Sequence, residues 1–519
     1  MASKDVRNLF KSQEDPFSGK GGSSVKFESP DREDFRDFPE EGSDEVQECP
    51  EYVRKAFPLN QAYAWPDHSI DGIDASWQYH NAKHRSARES CDPPTGAELR
   101  GCFTRSCRDF DTAKDAIQYG RRSGDAGRAD GDVFGHFTHA QAFVRSAAAP
   151  LAQSLRDIDS FKVLVDRALD PASSPGLPFM RQGSTSALAF GWEEGTGYSD
   201  LYSLYFAVLE RIDKLVEGPV MDPINLFVKH EPHKPSKVEN KAWRLISGVS
   251  VVDQLVDEIL HGDFLDLVIE RPCGYNMTIG WSQYQEHGLR LINLLVRGDV
   301  DAADKGSWDW TVQPWHFELL EKFLVWLNDD YDDITMKVMV NHLRALGGPK
   351  VFKAKGRTFE TTEEGVMPSG WKLTILANSL MQIFSHYLAC ERCGITYPTP
   401  LSQGDDTVQP AVDDELYWYE LSRTGCILKE RQRFSCKRDG FEFCGMIFRR
   451  RSFHPVYLDK HAFHIRNIDP LVFRETIQSY QLLYLFDDER LAALRKWASS
   501  AGCASAKIDV AFWRRQVGA

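Results

Sequence analysis

The feature that most constrains the fold of this chain is a pair of adjacent aspartates behind a glycine, Asp405 and Asp406 in the segment LSQGDDTVQP. Gly-Asp is ordinary chemistry for the tip of a hairpin, because both residues tolerate the backbone angles of a tight turn. Two adjacent carboxylates also repel each other, and a hard divalent cation relieves that repulsion. A metal site needs further carboxylates, which have to come from another part of the chain.

A second group of carboxylates lies about a hundred residues upstream, in a strand-like stretch. The group consists of Asp299, Asp301, Asp304 and Asp309. From Pro314 onward the apolar residues follow helical spacing. Carboxylates at the end of a strand, just before a helix, can meet those of a neighbouring hairpin. Asp304 is therefore the candidate that completes the site at the hairpin.

Between these segments, an irregular loop leads into a predicted helix. The loop contains Gly365, Pro368, Ser369 and Gly370. Helical spacing begins at Leu373, and Thr374 and Asn378 share one face because they are four residues apart. Two interpretations are open for these polar groups: surface positions on a helix, or contacts to a sugar hydroxyl and a nucleic-acid backbone.

A basic segment, residues 228–246, has the sequence VKHEPHKPSKVENKAWRLI. Its cations are Lys229, Lys234, Lys237, Lys241 and Arg244, accompanied by His230 and His233. Pro232 and Pro235 argue against a helix, so we expect a loop and then a short strand that ends in WRLI. A solvated loop is one interpretation. The other is a lining that neutralises triphosphate or template phosphates, which Lys binds as a point charge and Arg as a fork.

Length, charge and cysteine usage limit the class of protein. The chain has 519 residues, which suggests several subdomains, and a net charge of −14. Residues 1–50 hold thirteen acidic and seven basic side chains, so we expect a flexible acidic tail there. The sequence has no apolar run of about twenty residues and no signal-peptide pattern. The eleven cysteines indicate reduced thiols, and His386, Cys390 and Cys393 have a spacing that zinc could use.

Together and in this order, the segments resemble the motifs of viral RNA-dependent RNA polymerases, above all those of sobemoviruses, poleroviruses and barnaviruses. DKGSWDWTVQPW is similar to the first palm motif of that group, GVMPSGWKLTILANS to the second and GDD to the third. TGCILKERQRF and FEFCGMIF are similar to the fourth and fifth motifs, the basic segment to the finger motif, and DPASSPGLPF to a template-guiding loop. The resemblance covers roughly residues 165–470, and the first 150 residues match no known motif.

The resemblance also favours one register of the repeated aspartates. Asp299, Asp304 and Asp309 stand five residues apart, whereas the first palm motif normally has a single Asp-x4-Asp pair. We align Asp304 and Asp309 with that pair, because WDWTVQPW leads directly into the helix. The register that pairs Asp299 with Asp304 stays open.

The fold that the resemblance implies is α+β: a right-hand polymerase of palm, fingers and thumb, with a small antiparallel palm sheet backed by helices. Residues 51–289 would form an N-terminal extension, the fingers with their basic loop 228–246, and the first palm helices. Residues 290–451 would form the palm, with a fingers insertion near 335–365. The thumb would be residues 452–519.

The chemistry that the resemblance implies is template-directed transfer of ribonucleotides to an RNA 3′-hydroxyl with two Mg²⁺ ions, for which Mn²⁺ can substitute. The metal ligands would be Asp304, Asp405 and Asp406. Lys429 would act as the general acid for pyrophosphate, with Lys437 as the alternative. The residues that would contact nucleotide or RNA are Asp309, Ser369, Gly370, Thr374, Asn378, Lys229, Lys234 and Arg244.

The implied partners are an RNA template and product and ribonucleoside triphosphates, with a small virus-encoded protein as primer by analogy of fold. The implied setting is the host cytoplasm, at the replication complexes of a positive-strand RNA virus. Other classes stay open. A reverse transcriptase-like polymerase usually has an aromatic residue in place of Asp309. A non-catalytic RNA-binding viral protein needs no separate carboxylate segments. A metal-dependent phosphohydrolase usually adds histidine ligands near its carboxylates.

Overall fold

The structure is a computed structural model and describes residues 48–125 and 151–519. The predicted acidic tail therefore lies outside the described residues, apart from 48–50. The first helices are α1 (Glu51–Ala56), α2 (Ile70–Ser90), α3 (Gly96–Asp109) and α4 (Asp111–Asp125). Side-chain caps start two of them: Ser69 accepts a hydrogen bond from the Gly72 backbone before α2, and Thr95 forms a capping box with Glu98 at α3.

The following part of the chain forms helices and two short antiparallel strand pairs. The helices are α5 (Leu151–Leu155), α6 (Ile158–Ala168), α7 (Ser186–Phe190), α8 (Tyr202–Glu217), α9 (Pro235–Glu239) and α10 (Val251–Glu270), and the strands are β1 (Trp192–Glu193), β2 (Gly197–Tyr198), β3 (Ile224–Val228) and β4 (Leu245–Gly248). The expectation that the basic segment contains no helix is wrong. Pro235 is the first residue of α9, where its missing N–H and its fixed φ suit a helix.

The next part of the chain, up to residue 451, contains both helices and strands. The helices are α11 (Gly288–Leu295), α12 (Trp308–Thr311), α13 (Pro314–Leu327), α14 (Asp333–Gly347), α15 (Thr374–Cys393) and α16 (Glu415–Ser422). The strands are β5 (Asp299–Lys305), β6 (Val351–Ala354), β7 (Arg357–Glu360), β8 (Leu401–Gln403), β9 (Asp406–Pro410), β10 (Leu428–Ser435), β11 (Phe441–Phe443) and β12 (Met446–Arg449). The helix that apolar spacing predicts from Pro314 is confirmed, because its periodic apolar residues are buried in the largest core.

The palm sheet has the strand order β10-β5-β9-β8, and every neighbouring pair is antiparallel. Helix α15 packs against β8, and its sixteen buried residues run almost without interruption from Thr374 to Cys390. A helix that is buried on nearly all sides forms the interior of a layered domain. A small antiparallel sheet backed by helices, as predicted, is therefore present.

A second four-stranded sheet has the order β4-β3-β6-β7. Its two hairpins are joined by a parallel pairing of β3 with β6, in which Ile224 lies opposite Phe352. This sheet brings the basic segment, which connects β3 to β4, together with the hairpin of residues 351–360. The two segments that were assigned to the fingers, far apart in sequence, thus share one sheet.

The C-terminal part begins with β13 (Ser452–Pro455) and continues with α17 (Leu458–Arg466), α18 (Phe473–Leu483), α19 (Asp488–Ser500) and α20 (Val510–Gln516). Helix α1 packs on α19, and the ring of Phe57 meets that of Tyr484 edge to face at 4.9 Å. The N-terminal segment therefore contacts the region assigned to the thumb. Across the described residues, no helix has both the length and the apolar composition that a bilayer span requires.

Candidate active site

The two adjacent aspartates lie at the tip of a β-hairpin, as the sequence predicts. Gln403 at the end of β8 pairs with Asp406 at the start of β9, and Gly404 has a φ of +62°. A positive φ favours glycine, which explains the residue before the aspartates. Asp405 and Asp406 are both exposed to solvent.

The pairing of β5 with β9 brings the upstream carboxylate to this hairpin. Ala303 lies opposite Thr407, so the next residue, Asp304, ends beside the hairpin tip. Asp299 begins the same strand, five residues or about 16 Å away, and its backbone carbonyl accepts a hydrogen bond from Ala411. Of the two registers that the sequence left open, only the one in which Asp304 is the first aspartate of the pair places that first carboxylate at the tip.

The remaining aspartate of β5, Asp301, has a structural role. Its buried carboxylate accepts hydrogen bonds from Arg433 at 2.5 and 2.9 Å and from the backbone of Val412 at 2.9 Å. These contacts tie β5 to β10 and to the segment after β9. Asp301 therefore stabilises the palm sheet behind the carboxylate site.

The carboxylates at the tip bring several negative charges close together. Desolvation by the surrounding protein and the neighbouring charges of Asp405 and Asp304 raise the pKa of Asp406 to about 7. Lys305 acts in the opposite direction, but its ammonium is buried and donates to Thr407 Oγ1 at 2.5 Å. Converging oxygen ligands whose charges repel each other form the kind of donor set that a hard divalent cation binds.

The side chains are not already arranged as a complete metal-binding cluster. Within residues 48–125 and 151–519, no group of three or more histidine, cysteine or acidic side chains has such an arrangement. Asp304 instead accepts a hydrogen bond from Lys429 Nζ at 3.0 Å, and both side chains are more than half exposed. Exposed ion pairs contribute only about 0–1 kcal/mol, so reorienting Asp304 towards a cation costs little.

Lys429 lies at an irregularity in the pairing of β10 with β5, between Leu428 and residue 430. Its alkyl chain passes within 3.2–3.3 Å of where a Cβ on Gly306 would stand. The predicted proton donor is thus adjacent to the carboxylate site, directly beside Asp304. Its role as a general acid stays a prediction.

Asp309 and Asn378 are brought together as a hydrogen-bonded pair. Asn378 Nδ2 donates to Asp309 Oδ1 at 2.9 Å, and the indole N–H of Trp308 donates to Asn378 Oδ1 at 2.9 Å. One expectation needs correction, because Asp309 lies in helix α12 and not in the strand. Of the two interpretations left open for Asn378, a surface position is excluded, because only 4% of the residue is exposed.

The loop before α15 packs closely against strand β4. Ser369 Oγ accepts a hydrogen bond from the backbone N–H of Ser247 at 3.2 Å, and a Cβ on Gly370 would lie 2.0 Å from the Ser247 carbonyl. Only glycine permits this approach. Thr374 is buried, and its hydroxyl donates to the carbonyls of Trp371 at 2.7 Å and Pro368 at 3.2 Å. Thr374 therefore stabilises the loop from within, which excludes a surface position, one of the two interpretations left open for it.

The basic segment faces the carboxylates. Burial alone would lower the pKa of Arg244, but the charges of Glu231, Asp405 and Asp309 raise it, so the guanidinium lies within electrostatic range of both the hairpin tip and Asp309. Lys229 donates its backbone N–H to the Arg244 carbonyl at 2.8 Å. Lys234 is exposed and directly precedes α9. Lys229 and Arg244 thus lie together, both ion-paired with Glu231, and the space between this pair and the hairpin tip is referred to as the cleft.

A model of the family described as viral RNA-dependent RNA polymerase matches residues 96–456, which is more than half of the chain. The chain belongs to this family. It is an RNA-directed RNA polymerase, as its motifs predicted.

Relatives from the three predicted virus groups are similar to this polymerase. The RNA-directed RNA polymerase of Mushroom bacilliform virus is 24% identical over 388 residues, which are 68% of this chain and 86% of that protein. The replicase polyprotein P2AB of Southern bean mosaic virus is 28% identical over 309 residues, 54% of this chain and 30% of the polyprotein. Protein P1-P2 of Potato leafroll virus is 26% identical over 316 residues, which are 55% of this chain and 28% of that protein. The chain thus spans less than a third of the two larger relatives.

The fold is shared with a solved polymerase. The Sicinivirus 3Dpol RNA dependent RNA polymerase superposes with a TM-score of 0.50 at 16% identity, over 76% of this chain and 88% of that one. At this identity the likeness shows the fold alone. The predicted right-hand α+β fold is confirmed.

Several residues of the polymerase's cleft were not selected from the sequence. Glu231 is buried inside the basic segment and forms ion pairs with Lys460 of α17 at 2.9 Å, Arg244 at 3.2 Å and Lys229 at 3.8 Å. Burial and Arg244 lower the pKa of Lys237 to about 8. A glutamate among lysines was the available signal for Glu231, but the segment also contains Glu239, and the link of Glu231 to the C-terminal helices depends on tertiary contact.

The fifth motif also contributes to the cleft. Burial and the charge of Asp406 raise the pKa of the Cys444 thiol, and Gly445 makes room for the ring of Tyr457, which would lie 2.8 Å from a Cβ there. The segment FEFCGMIF was recognised, although no residue in it was singled out. By contrast, His386 does not form the zinc site that spacing suggested, because its ring nitrogens face Tyr417 Oη at 2.8 Å and the Tyr397 carbonyl at 3.2 Å.

Proposed function

We propose that this polymerase transfers ribonucleotides from their triphosphates to an RNA 3′-hydroxyl by a two-metal mechanism and so replicates the genome of a positive-strand RNA virus. The observation that carries the proposal is the meeting of Asp304 with Asp405 and Asp406 at one hairpin tip, opposite the Arg244 guanidinium. When bound, two Mg²⁺ ions supply activation of the attacking hydroxyl and neutralisation of the charge that develops on the departing pyrophosphate.

The chain's own side chains have separate tasks in this proposal. Asp304 and Asp405 would hold the cations directly, and Asp406 would assist them. Arg244, with Lys229 and Lys234, binds the triphosphate, because a guanidinium can hold two phosphate oxygens at once. These three basic side chains would neutralise phosphate charge on the side of the cleft opposite the carboxylates.

The sugar is read by the pair of Asp309 and Asn378. A ribose 2′-hydroxyl both donates and accepts a hydrogen bond, and this pair offers a carboxylate acceptor together with an amide. A pocket built to pair with that hydroxyl rejects deoxyribose, because its own polar groups are then left unsatisfied. Ser369 and Gly370 hold the neighbouring loop against β4, where the RNA backbone would pass. Lys429 donates the proton to pyrophosphate.

The test is primer extension on a defined RNA template, with ribo- and deoxyribonucleoside triphosphates in parallel. The parent should extend with ribonucleotides, and Asp304→Ala and Asp405→Ala should each lose on the order of a hundredfold or more in rate. Asp299→Ala is the matched control, because it removes a carboxylate from the far end of the same strand and should keep the parent's rate. A folded Asp405→Ala variant that extends RNA normally would contradict the site assignment, and a preference for deoxynucleotides would favour the reverse transcriptase alternative.

The cellular setting belongs to the same proposal. We place the enzyme in the host cytoplasm at viral replication complexes, where template and triphosphates are available to it. A fluorescently tagged chain in infected cells should coincide with newly made viral RNA, and an exclusively nuclear signal would contradict this. Priming by a small virus-encoded protein stays a prediction from fold analogy.

A further inference from the structure

Helix α2 lies before the residues that match the polymerase family, yet one of its faces points into the polymerase core. Ser76, His80 and His84 are four residues apart and form one stripe along the helix. All three are buried, with at most 7% of each residue exposed. Polar side chains are rarely buried without specific partners, so each of these three side chains should have a hydrogen-bond partner.

The first half of this stripe binds the basic segment. Ser76 Oγ donates to the Lys241 carbonyl at 2.7 Å and accepts from the Trp243 N–H at 3.2 Å, and His80 Nε2 bonds the Trp243 carbonyl at 2.8 Å. Both backbone polar groups of Trp243 are thereby held by α2. The next residue along the chain is Arg244, so α2 fixes the peptide from which the triphosphate-binding guanidinium extends.

The second half of the stripe binds the segment that carries Asp309. His84 Nδ1 bonds the carbonyl of Trp310 at 2.8 Å, and the His80 ring stacks on the Trp310 indole with centroids 5.0 Å apart and an interplanar angle of 14°. Trp310 directly follows Asp309 in helix α12. The same helix face therefore fixes the peptide that carries the proposed ribose-reading carboxylate.

The contacts require a defined proton position on each imidazole. A ring nitrogen that faces a carbonyl oxygen has to carry a proton in order to bond it, which means Nε2–H in His80 and Nδ1–H in His84. Burial lowers the pKa of His80 to about 4 and also lowers that of His84. Both rings are therefore neutral near pH 7 and each donates from one nitrogen only.

We propose that the stripe of Ser76, His80 and His84 is a positioning element of the nucleotide site, which sets the distance between Arg244 and Asp309 and thereby the affinity and the sugar preference for the incoming nucleotide. The inference rests on the proposed function. Helix α2 is 21 residues long and rigid along its axis, and it bonds both peptide segments through their carbonyls. Misplacing a binding group by about 1 Å can cost about a hundredfold in rate. Helix α2 therefore affects catalysis although it does not contact the substrate.

The test uses the distinct nitrogens of the two histidines. An asparagine amide nitrogen stands close to the position of Nδ1, and a glutamine amide nitrogen close to that of Nε2. His84→Asn and His80→Gln should therefore keep the donor and stay within about threefold of the parent. His84→Gln and His80→Asn displace the donor, so each should raise the ribonucleotide KM and narrow the ribo/deoxyribo ratio in kcat/KM by about tenfold.

A merely structural role predicts a different pattern. If the histidines have only a structural role, the asparagine and glutamine variants should behave alike at each position, because both remove the imidazole. The other outcome of a structural role is that the variants lower kcat and leave KM and the sugar ratio unchanged. Either result overturns the proposal. Ser76→Ala is the variant of smallest size change and should raise the ribonucleotide KM severalfold; if the histidine variants fail to fold, an unchanged KM in Ser76→Ala overturns the proposal by itself.

Failure of the underlying function would look different from failure of this inference. If the parent does not extend RNA, or if Asp309→Ala leaves the sugar ratio unchanged, the proposed nucleotide site is wrong. If the parent is active and Asp309→Ala narrows the ratio, while the displaced-donor variants of His80 and His84 match the parent, then the site is right and α2 only packs against it.

Discussion

Replacing Asn378 by alanine perturbs the proposed ribose pocket at its centre. Asn378 accepts a hydrogen bond from the Trp308 indole and donates one to Asp309, each at 2.9 Å. Trp308 is 2% exposed and Asn378 4%. The substitution removes both bonds, so Asp309 loses the amide that orients it and the Trp308 N–H is left buried without this acceptor.

Two effects of different kind should follow. Leaving a buried donor unpaired costs about 1–3 kcal/mol of folding free energy. Loss of a charge-assisted contact to the 2′-hydroxyl costs about 1.5–3 kcal/mol of transition-state binding for ribonucleotides, whereas deoxyribonucleotides lack the hydroxyl and lose nothing. Because about 1.4 kcal/mol corresponds to a factor of ten, the ribo/deoxyribo ratio in kcat/KM should narrow by about 10- to 150-fold.

The assay is single-nucleotide incorporation opposite a fixed template base, with matched ribo- and deoxyribonucleoside triphosphates, and a melting curve for each variant. Ser385→Ala is the matched control. Ser385 lies about two turns further along α15, is 1% exposed and bonds His316 Nε2 at 3.0 Å. The Ser385→Ala variant should lower the melting temperature by about as much as Asn378→Ala does and leave the ribo/deoxyribo ratio in kcat/KM unchanged. An Asn378→Ala variant with the parent's ratio, or a Ser385→Ala variant with an equally narrowed one, would refute the reasoning.

Three further predictions concern the walls of the cleft. Arg244→Ala should raise the nucleotide KM, and Arg244→Lys should restore it only in part, because an ammonium cannot hold two phosphate oxygens; normal nucleotide binding by both variants would make the loop structural. Lys429→Leu should slow single-turnover incorporation by about 10²–10⁴-fold with template binding nearly unchanged, and equal rates would exclude the general-acid role. Burial would raise the pKa of Glu231, but Arg244, Lys460 and Lys229 lower it well below 4.5. The stability that the ionised carboxylate contributes is therefore complete above pH 4.5 and is lost as the pH falls further. Glu231→Gln should lower the melting temperature at pH 7 and make the melting temperature fall less steeply below pH 4.5.

Local chemistry was sufficient to predict several parts of this polymerase. The hairpin at 401–410 follows from a glycine that tolerates positive φ before two acidic residues, and helix α13 follows from its apolar period. The identity of the carboxylates and their order along the chain indicated the family before any contact was known. These features depend on neighbouring residues, whose backbone preferences and side-chain chemistry can be read directly.

The basic segment shows where such reasoning failed. Proline was taken to exclude a helix, although at the first position of α9 it favours one, since the N–H that it lacks would have had no partner there. Helical periodicity placed Thr374 and Asn378 on one face of a helix and left open whether they lie at the surface. The loop before α15 covers the hydroxyl of Thr374, and the amide of Asn378 is bonded to Asp309. Periodicity gives the angle of a side chain about its helix and contains no information on what packs against it.

The sequence by itself determined which residues could bind cations, phosphates and a ribose, because that capacity belongs to each side chain. Only the tertiary structure decided that Asp304 and not Asp299 stands at the hairpin tip, since the register of β5 against β9 is a property of two strands about a hundred residues apart. The same holds for Glu231, whose partner Lys460 is 229 positions away along the chain, and for helix α2, whose histidines bond carbonyls of two distant segments. Backbone carbonyls are the same in every residue, so no pattern of side chains marks the ones that will be bonded.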